Sequence, residues 1–391
     1  MRILHTSDWH LGRSFHREGM LGHQATYVDH LLEVVASERI DLVVVSGDVY
    51  DRALPPVDAV RLADDTLARL AASRAKVVLT SGNHDSARRL GFSSRLIDAA
   101  GVFIRTDASG VGTPVLLDDE HGQVAVYGLP YLDPDAVREP WGLPVRSHEA
   151  ALTEAMARVR ADLAGRAARS VVLAHAFVAG DASPVQPSDS ERDISVGGVS
   201  LVPTSVFDNV SYAALGHLHG RHTLSETVRY SGSPLAYSFS EASQVKGSWL
   251  VELGAHGMTA AEFVEAPVPR PLARLRGTID ELLTDPRLGV HESSWVQATL
   301  TDDSRPLQAM DRLRARFPHT LVLGFEPTAG DPASVPIART QGRSDHAIAL
   351  DFVAAMRGTP ATDQESGLLL AAADACCEDP EVDVLVSEAG A

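Results

Sequence analysis

An aspartate and a histidine stand one residue apart in "LHTSDWHLG" (4–12), as Asp8 and His10, directly after the first apolar stretch of the chain. Similar groups follow later apolar runs. Asp48 and Asp51 lie in "SGDVYD", Asn83, His84 and Asp85 in "SGNHD", His175 ends "SVVLAH", and His217 and His219 sit in "GHLH". Two divalent ions about 3.5 to 4 Å apart need a bridging carboxylate and several imidazoles, and few thiols. That is the inventory present. Asp8, His10, Asp48 and His219 are expected to hold one ion, and Asp48, Asn83, His175 and His217 the other. Gly47, Gly82 and Gly216 immediately precede these ligand segments, allowing tight turns and close backbone approach to the metals.

Groups so far apart in sequence can meet only if the fold gathers them. "IDLVVVSG" (40–47), "KVVLTSG" (76–82), "VAVYGLP" (124–130) and "SVVLAH" (170–175) are continuous apolar runs of the kind buried on both faces of a sheet. Between them Val28, Leu31, Leu32 and Val35 recur at helical spacing, as do Val60, Ala63, Leu67 and Leu70, then Leu152, Ala155, Met156, Val159 and Leu163. This alternation is an α/β signature. In open α/β sheets the crevice beyond the carboxyl ends of the strands is where ligands collect, and each candidate group sits at such an end.

Residues 178–205 are rich in Ser, Pro, Gly and Asp and read as a long surface loop. "SYAALGHLHG" (211–220) returns to strand and turn, and "VRYSGSP" (228–234) and "SWLVEL" (248–253) are expected as short antiparallel strands closing the sheet. The prolines and arginines of "EAPVPRPLARLRG" (265–277) mark a linker. A strand in "SSWVQATLTD", a helix in "RPLQAMDRLRARFPHT" and a strand in "LVLGFE" then predict a small α+β domain, followed by a loop over 327–345. In the tail, Ile348, Phe352 and Met356 share a helical stripe, "RGTP" breaks it, and Thr362 with Glu365 forms a capping box opening a second helix. The expected division is 1–266, 267–344 and 345–391.

With 391 residues, 45% of them hydrophobic and 22% charged, and a mean hydropathy of -0.02, the composition is that of a folded globular protein. No apolar run approaches the roughly twenty residues that span a bilayer. The first ten residues lack the apolar core and cleavage site of a signal peptide, so a cytoplasmic chain is expected. Cys376 and Cys377 are adjacent and far from every histidine cluster, which argues against a disulfide framework and a Cys-based zinc site. A net charge of -18 gives no direct support for a phosphate-backbone partner unless another subunit supplies the positive charge.

The order D-x-H, G-D-x-x-D, G-N-H-D, a lone His and G-H-x-H resembles the calcineurin-like metallophosphoesterases. The resemblance implies a β-sandwich flanked by helices, here with a small α+β capping domain and a C-terminal helical segment. "MRILHTSDWHLG", "SGDVYD", "SGNHDS", "ALGHLH", "SERDISVGG" and "SGSPLAYSFSE" resemble a narrower group, the SbcD nucleases of SbcCD-type break repair. That likeness is specific over roughly the first 250 residues and weaker beyond.

The expected chemistry is phosphodiester hydrolysis by a water that two ions activate, with His84 as general acid and Asp85 orienting its ring. All-oxygen-and-nitrogen ligands suit Mn2+, Mg2+ or Fe2+, and the family points to Mn2+. Asp51 matches one form of its motif, and a structural role and one behind a metal ligand stand about even. Arg88 and Arg89 could contact a phosphate backbone, although a solvated helix face explains them nearly as well. The resemblance further implies 3′ to 5′ exonuclease and hairpin endonuclease action on DNA ends. It also implies a coiled-coil ATPase partner of the SbcC type, docked through Ile348, Phe352 and Met356, and a dimer of this subunit within a heterotetramer. Two rivals remain: a phosphodiesterase for a small nucleotide, and a non-catalytic scaffold for the ATPase.

Overall fold

The computed structural model describes residues 1–179, 188–191, 201–327, 344–357 and 359–377. They fall into two units, Met1–Ala273 and Arg274–Ala391. The first carries strands β1 (Arg2–Thr6), β2 (Leu42–Ser46), β3 (Lys76–Thr80), β4 (Val102–Arg105), β5 (Val115–Asp119), β6 (Gly122–Leu129), β7 (Arg169–His175), β8 (Tyr212–Gly216), β9 (Val228–Tyr230), β10 (Gly247–Gly254) and β11 (Gly257–Glu265). Its principal helices are α1 (Leu21–Ser37), α2 (Val57–Ala71) and α3 (His148–Leu163).

Two sheets result. One has the order β11-β10-β1-β2-β3-β4, with β1 to β4 parallel and the β10–β11 hairpin antiparallel to β1. The other runs from the short strand His222–Thr223 through β9-β8-β7-β6-β5, with β6 to β9 parallel. Alternation of side chains across each strand sorts the apolar residues into three layers. Ile3, Leu42, Val44 and Val78 meet Val126, Val171, Leu173 and Ala214 between the sheets. Leu4, Val43, Val45, Val77 and Leu79 instead face Leu31 and Val35 of α1 and Ala63 and Leu70 of α2. Tyr127, Val172, Ala174 and Leu215 face Leu152, Ala155, Met156 and Val159 of α3. Strands in such a four-layer stack are covered on both sides, which is why they read as unbroken apolar runs rather than alternating ones. Each fully buried Val or Leu contributes about 1.5–3 kcal/mol, so these layers supply the main driving force.

The sheets are also tied at the edge away from the strand ends that matter below. The guanidinium of Arg169, at the start of β7, pairs with Asp119 of β5 at 2.5 Å and donates to the carbonyl of Gly254 in the other sheet at 3.1 Å.

Several expectations need correction. Val60 is 43% exposed, and the inward face of α2 runs through Ala59, Ala63, Thr66 and Leu70. The strand in "VRYSGSP" lies parallel to β8, and the one containing "SWLVEL" joins the other sheet beside β1. Its place between β11 and β1 is set by pairing across the whole chain, which local pattern does not carry. Most of 178–205, including nearly all of "SERDISVGG" after Glu191, lies outside the described residues, as do 328–343 of the expected loop.

Across the boundary into the second unit, β12 (Leu272–Gly277) occupies the stretch expected as linker, because Leu272, Ala273 and Leu275 supply an apolar face among the arginines. It borders β13 (Trp295–Leu300), which pairs in parallel with β14 (Thr320–Phe325). Helix α4 (Ile279–Thr284) opens on a capping box between Thr278 and Glu281, and α5 (Ala309–Arg316) precedes β14. Helices α6 (Asp345–Arg357) and α7 (Asp363–Cys377) follow. The capping box at the start of α7 forms: the Thr362 N–H donates to Glu365 Oε2 at 2.8 Å, and the Glu365 N–H to Thr362 Oγ1 at 3.3 Å. Among the described residues no helix is long and apolar enough to cross a membrane.

The corrected face of α2 makes a direct prediction. Val60→Ser should change unfolding free energy by no more than about 0.5 kcal/mol, whereas Ala63→Asp, burying a carboxylate in an apolar layer, should cost about 3 kcal/mol or more in urea denaturation.

Candidate metal centre

Register brings the strand ends level. Thr6 of β1 lies beside Val45, Ser46 of β2 opposite Thr80 of β3, and Gly216 of β8 opposite His175 of β7. The turns leaving β1 and β2 are stitched together beyond the sheet. The Asp8 N–H donates to the Gly47 carbonyl at 3.1 Å, His10 N–H to Asp48 O at 3.0 Å, and Leu11 N–H to Val49 O at 2.9 Å. Asp8, His10, Asp48 and His217 all have positive φ, at 53°, 45°, 50° and 108°. Such backbone costs about 1–3 kcal/mol per residue and persists only where its surroundings enforce it. Four expected ligands sharing that property mark a site built against local preference.

The three motif glycines act by absence of a side chain. A Cβ on Gly47 (φ 84°) would stand 2.5 Å from His175 Nδ1. One on Gly82 would overlap the Asp48 carboxylate, and one on Gly216 the Ser46 carbonyl. Only Gly47 also needs the left-handed backbone. The close approach is between ligand-bearing segments themselves.

Within this pocket three sets of donor atoms lie within 4.8 Å of one another: Asp8, His10 and His219; His10, Asp48 and His84; and Asp8, Asp48 and His175. Asp48 Oδ2 is 3.6 Å from His10 Nε2 and 3.5 Å from His175 Nε2. Since a carbonyl only accepts, the 2.9 Å bond between His175 Nδ1 and Ser46 O places the ring hydrogen on Nδ1 and leaves a lone pair on Nε2. That nitrogen faces Asn83 Oδ1 at 2.9 Å, while the Asn83 Nδ2 is buried without a hydrogen-bond partner. His217 belongs to none of the three sets. It reaches the cluster through its ring, 3.3 Å from Asn83 Oδ1, and through its N–H, which donates to both oxygens of Asp8 at 3.1 and 3.2 Å. On the other side His10 Nε2 and His219 Nε2 stand 3.0 Å apart.

Burial pushes the Asp8 carboxyl up to about 7, with His175 pulling it back and Asp48 adding to the rise. Burial first, then neighbouring imidazoles, drives His10 and His217 well below the usual range, and burial lowers His219 against the resistance of Glu241. Crowded carboxylate oxygens facing neutral imidazole lone pairs repel one another until a cation enters, and neutral imidazole is the form that binds metal. The donor set therefore fits a divalent ion, with oxygen and nitrogen ligands and no thiol.

His84 and Asp85 depart from expectation in one respect. The His84 N–H donates to Asp48 Oδ1 at 2.9 Å, and its Nδ1 bonds the Asp51 carbonyl at 2.7 Å, which fixes the ring. Asp85 is a clamp instead of the ring's orienter. Its carboxylate accepts from the N–H groups of Gly82 at 2.9 Å, Val49 at 3.1 Å and Tyr50 at 2.9 Å, fastening the second motif to the third. The Asp51 carboxylate lies 3.8 Å from His10 Nδ1 and 3.6 Å from the Arg13 guanidinium, at the back of a candidate ligand. Trp9 is buried, donating its indole N–H to Thr6 Oγ1 at 3.0 Å, so its ring is closed to a stacking partner. Arg88 and Arg89 are exposed just beyond the third motif, Arg89 donating to the Ala53 carbonyl at 3.1 Å.

Residue-level reading missed a polar layer behind His219. Ser190, Glu191, Glu241 and Lys246 converge on it; Gln24 donates to the His10 carbonyl, and Tyr237, with Arg13 over its ring, donates to the Trp9 carbonyl and packs edge-on against the His10 ring. Burial raises Glu191 to about 7 despite the bond from the His219 N–H. Burial would raise Glu241 too, but the Lys246 ammonium and His219 outweigh it and hold the carboxyl below its ordinary range. The only sequence signal was that Ser190, Glu191 and Glu241 fall inside two of the segments carrying the family likeness.

A family model described as calcineurin-like phosphoesterase matches residues 1–221. A second, SbcD_C, described as the type 5 capsule protein repressor C-terminal domain, matches 268–353. Among solved structures the chain is similar to TT1561 of Thermus thermophilus, at 15% identity over 68% of this chain and 98% of that one, with a TM-score of 0.40. It is also similar to the calcineurin-like phosphoesterase YfkN from Bacillus subtilis, at 14% identity over 68% and 90%, with a TM-score of 0.35.

If Asp85 is a clamp, Asp85→Ala strands three backbone N–H groups and should lower unfolding free energy by about 3 kcal/mol, at about 1 kcal/mol or more for each. Urea denaturation checks this. A loss below about 0.5 kcal/mol, the range of an inconsequential surface change, would contradict it.

Proposed function

The chain belongs to the calcineurin-like phosphoesterase family, hydrolases of phosphoester bonds, and from that premise we propose that it is an SbcD-type DNA nuclease. The observation that carries the reading is the buried convergence of Asp8, His10, Asp48, His175 and His219 at the strand ends. The SbcD_C match over 268–353 supports a nuclease subunit over an enzyme for a small nucleotide.

Asp8, His10, Asp48 and His219 would hold one divalent ion, and Asp48, Asn83, His175 and His217 the other, with Mn2+ the ion that the family resemblance favours. When bound, such a pair polarises the phosphoryl oxygens and lowers the pKa of a water toward about 7. The chain's own groups do the rest. Asp48 presents one carboxylate to both halves of the pocket while its Oδ1 is anchored by the His84 N–H. His84 keeps its Nδ1 hydrogen on the Asp51 carbonyl, so in the doubly protonated ring Nε2 carries the second hydrogen, the one that passes to the leaving oxygen. Asp85 holds the second and third motifs at the spacing this transfer requires, and Asp51 steadies His10 from behind. Arg88 and Arg89 receive the DNA backbone beside the third motif.

An acidic chain needs help gripping DNA, and a coiled-coil ATPase of the SbcC type supplies it. Phe352 and Met356 of α6 are 64% and 71% exposed, and Ile348 is half-buried on the same stripe. Exposed apolar side chains at that spacing suit docking into a groove on a helical partner. The assembly is a dimer of this subunit bridging two ATPases, acting on DNA ends and hairpins in the cytoplasm.

His84→Ala should reduce Mn2+-dependent cleavage of a 3′-labelled duplex and a hairpin by about 10²–10⁴-fold, the usual weight of a general acid. Ion content measured by plasma mass spectrometry should stay at two per chain. Loss of an ion would make His84 a ligand, and cleavage of a generic phosphodiester with none of DNA would remove the nuclease reading.

Deleting 345–391 should abolish co-purification with the ATPase while leaving cleavage of the generic ester intact. Undiminished co-purification would sink the docking assignment.

A further inference from the structure

We propose that Glu241, held in place by the buried Lys246, positions His219 as an Nε2 ligand and thereby sets the affinity of the pocket for one of its divalent ions. The proposal rests on His219 being a ligand, as argued above, and adds residues that no motif of the site contains. His219, Glu241 and Lys246 are all buried.

The hydrogen-bond chain fixes the tautomer. Ser190 Oγ lies 2.7 Å from His219 Nδ1 and also makes a short bond to Glu241 Oε1. An ionised carboxylate cannot donate, so the hydroxyl hydrogen belongs to Glu241 and the hydroxyl oxygen accepts from the ring. Glu241 Oε1 is itself 3.3 Å from the same Nδ1. Both neighbours require hydrogen on Nδ1, and the lone pair is left on Nε2, which faces His10 Nε2 across 3.0 Å at the candidate ion position.

Lys246 holds this arrangement from below. Its ammonium reaches Glu241 Oε2 at 2.5 Å, the His219 carbonyl at 2.8 Å, Gln244 Oε1 at 2.8 Å and Ser233 Oγ at 3.0 Å. One cation thus grips both the carboxylate behind the ring and the backbone of the ring's own residue. Glu191 fixes the preceding peptide by accepting from the His219 N–H at 2.6 Å. A carboxylate behind a ligating histidine fixes its orientation and raises its basicity, and removing it lowers metal affinity by about 10–100-fold.

A purely structural ion pair and a positioning one separate in a double-variant test on the full chain. Mn2+ binding would be measured by isothermal titration calorimetry after chelator treatment, alongside urea denaturation. Glu241→Gln should weaken one of two binding events ~10–100-fold. Lys246→Met should lower both stability and affinity, since it leaves Glu241 buried without its cation. The double variant Glu241→Gln with Lys246→Met should regain most of the lost stability while affinity stays down by the same factor. Affinity that recovers together with stability, or that is unchanged in Glu241→Gln, overturns the proposal. Should Lys246→Met fail to fold, Glu241→Gln and the double variant decide it. His219→Ala, run in parallel, separates the two levels. If it leaves Mn2+ affinity intact, the ligand reading falls and this proposal with it; if it weakens binding where Glu241→Gln does not, only the positioning role falls.

Discussion

No side chain fits where the segments bearing Asp48, Asn83 and His217 cross, and the site depends on that constraint. Cβ atoms at residues 47, 82 and 216 would collide with His175, Asp48 and Ser46 respectively. With hydrogen alone at those positions, four stretches of backbone come close enough for their carboxylates and imidazoles to share one pocket. The positive φ values at Asp8, His10, Asp48 and His217 follow from the same crowding: the chain must turn sharply at each strand end to present its side chain inward.

Such strain needs a rigid frame. Two mostly parallel sheets, packed face to face and covered by helices outside, deliver their strand ends to one edge, so several directional side chains arrive together without long loops. Hydrogen bonds between the turns after β1 and β2, and the three N–H groups on Asp85, then hold the loops in the conformation the pocket requires. The polar layer of Ser190, Glu241 and Lys246 does the same for His219 from the second sheet. Buried charge accumulates at this edge, while Arg169, paired with Asp119, ties the sheets together at another through the Gly254 carbonyl.

Sequence marked the candidate ligands because their identity and their place after an apolar run are local facts. It also showed that α1, α2 and α3 pack on sheets, although Val60 was assigned to the wrong side of α2, where Ala59 leads the inward face. Composition alone gave the prolines and arginines of 265–277 the look of a linker, but part of that stretch pairs as β12. Lys246 was invisible for the opposite reason: a lone lysine in a polar stretch looks like solvated surface unless its partner is known.

Residue types, their order and their spacing along the chain thus determined the α/β class, the candidate ligands and the capping box at Thr362. Tertiary structure alone decided which of those groups face each other. It set Asp85 on three backbone N–H groups, placed the His217 ring beside Asn83, and brought Glu241 and Lys246 under His219. The physical reason is distance along the chain. Local propensity and periodicity act over a few residues, but which atoms meet between positions 8 and 217, or 46 and 175, depends on sheet order and register, which are properties of the whole packed molecule.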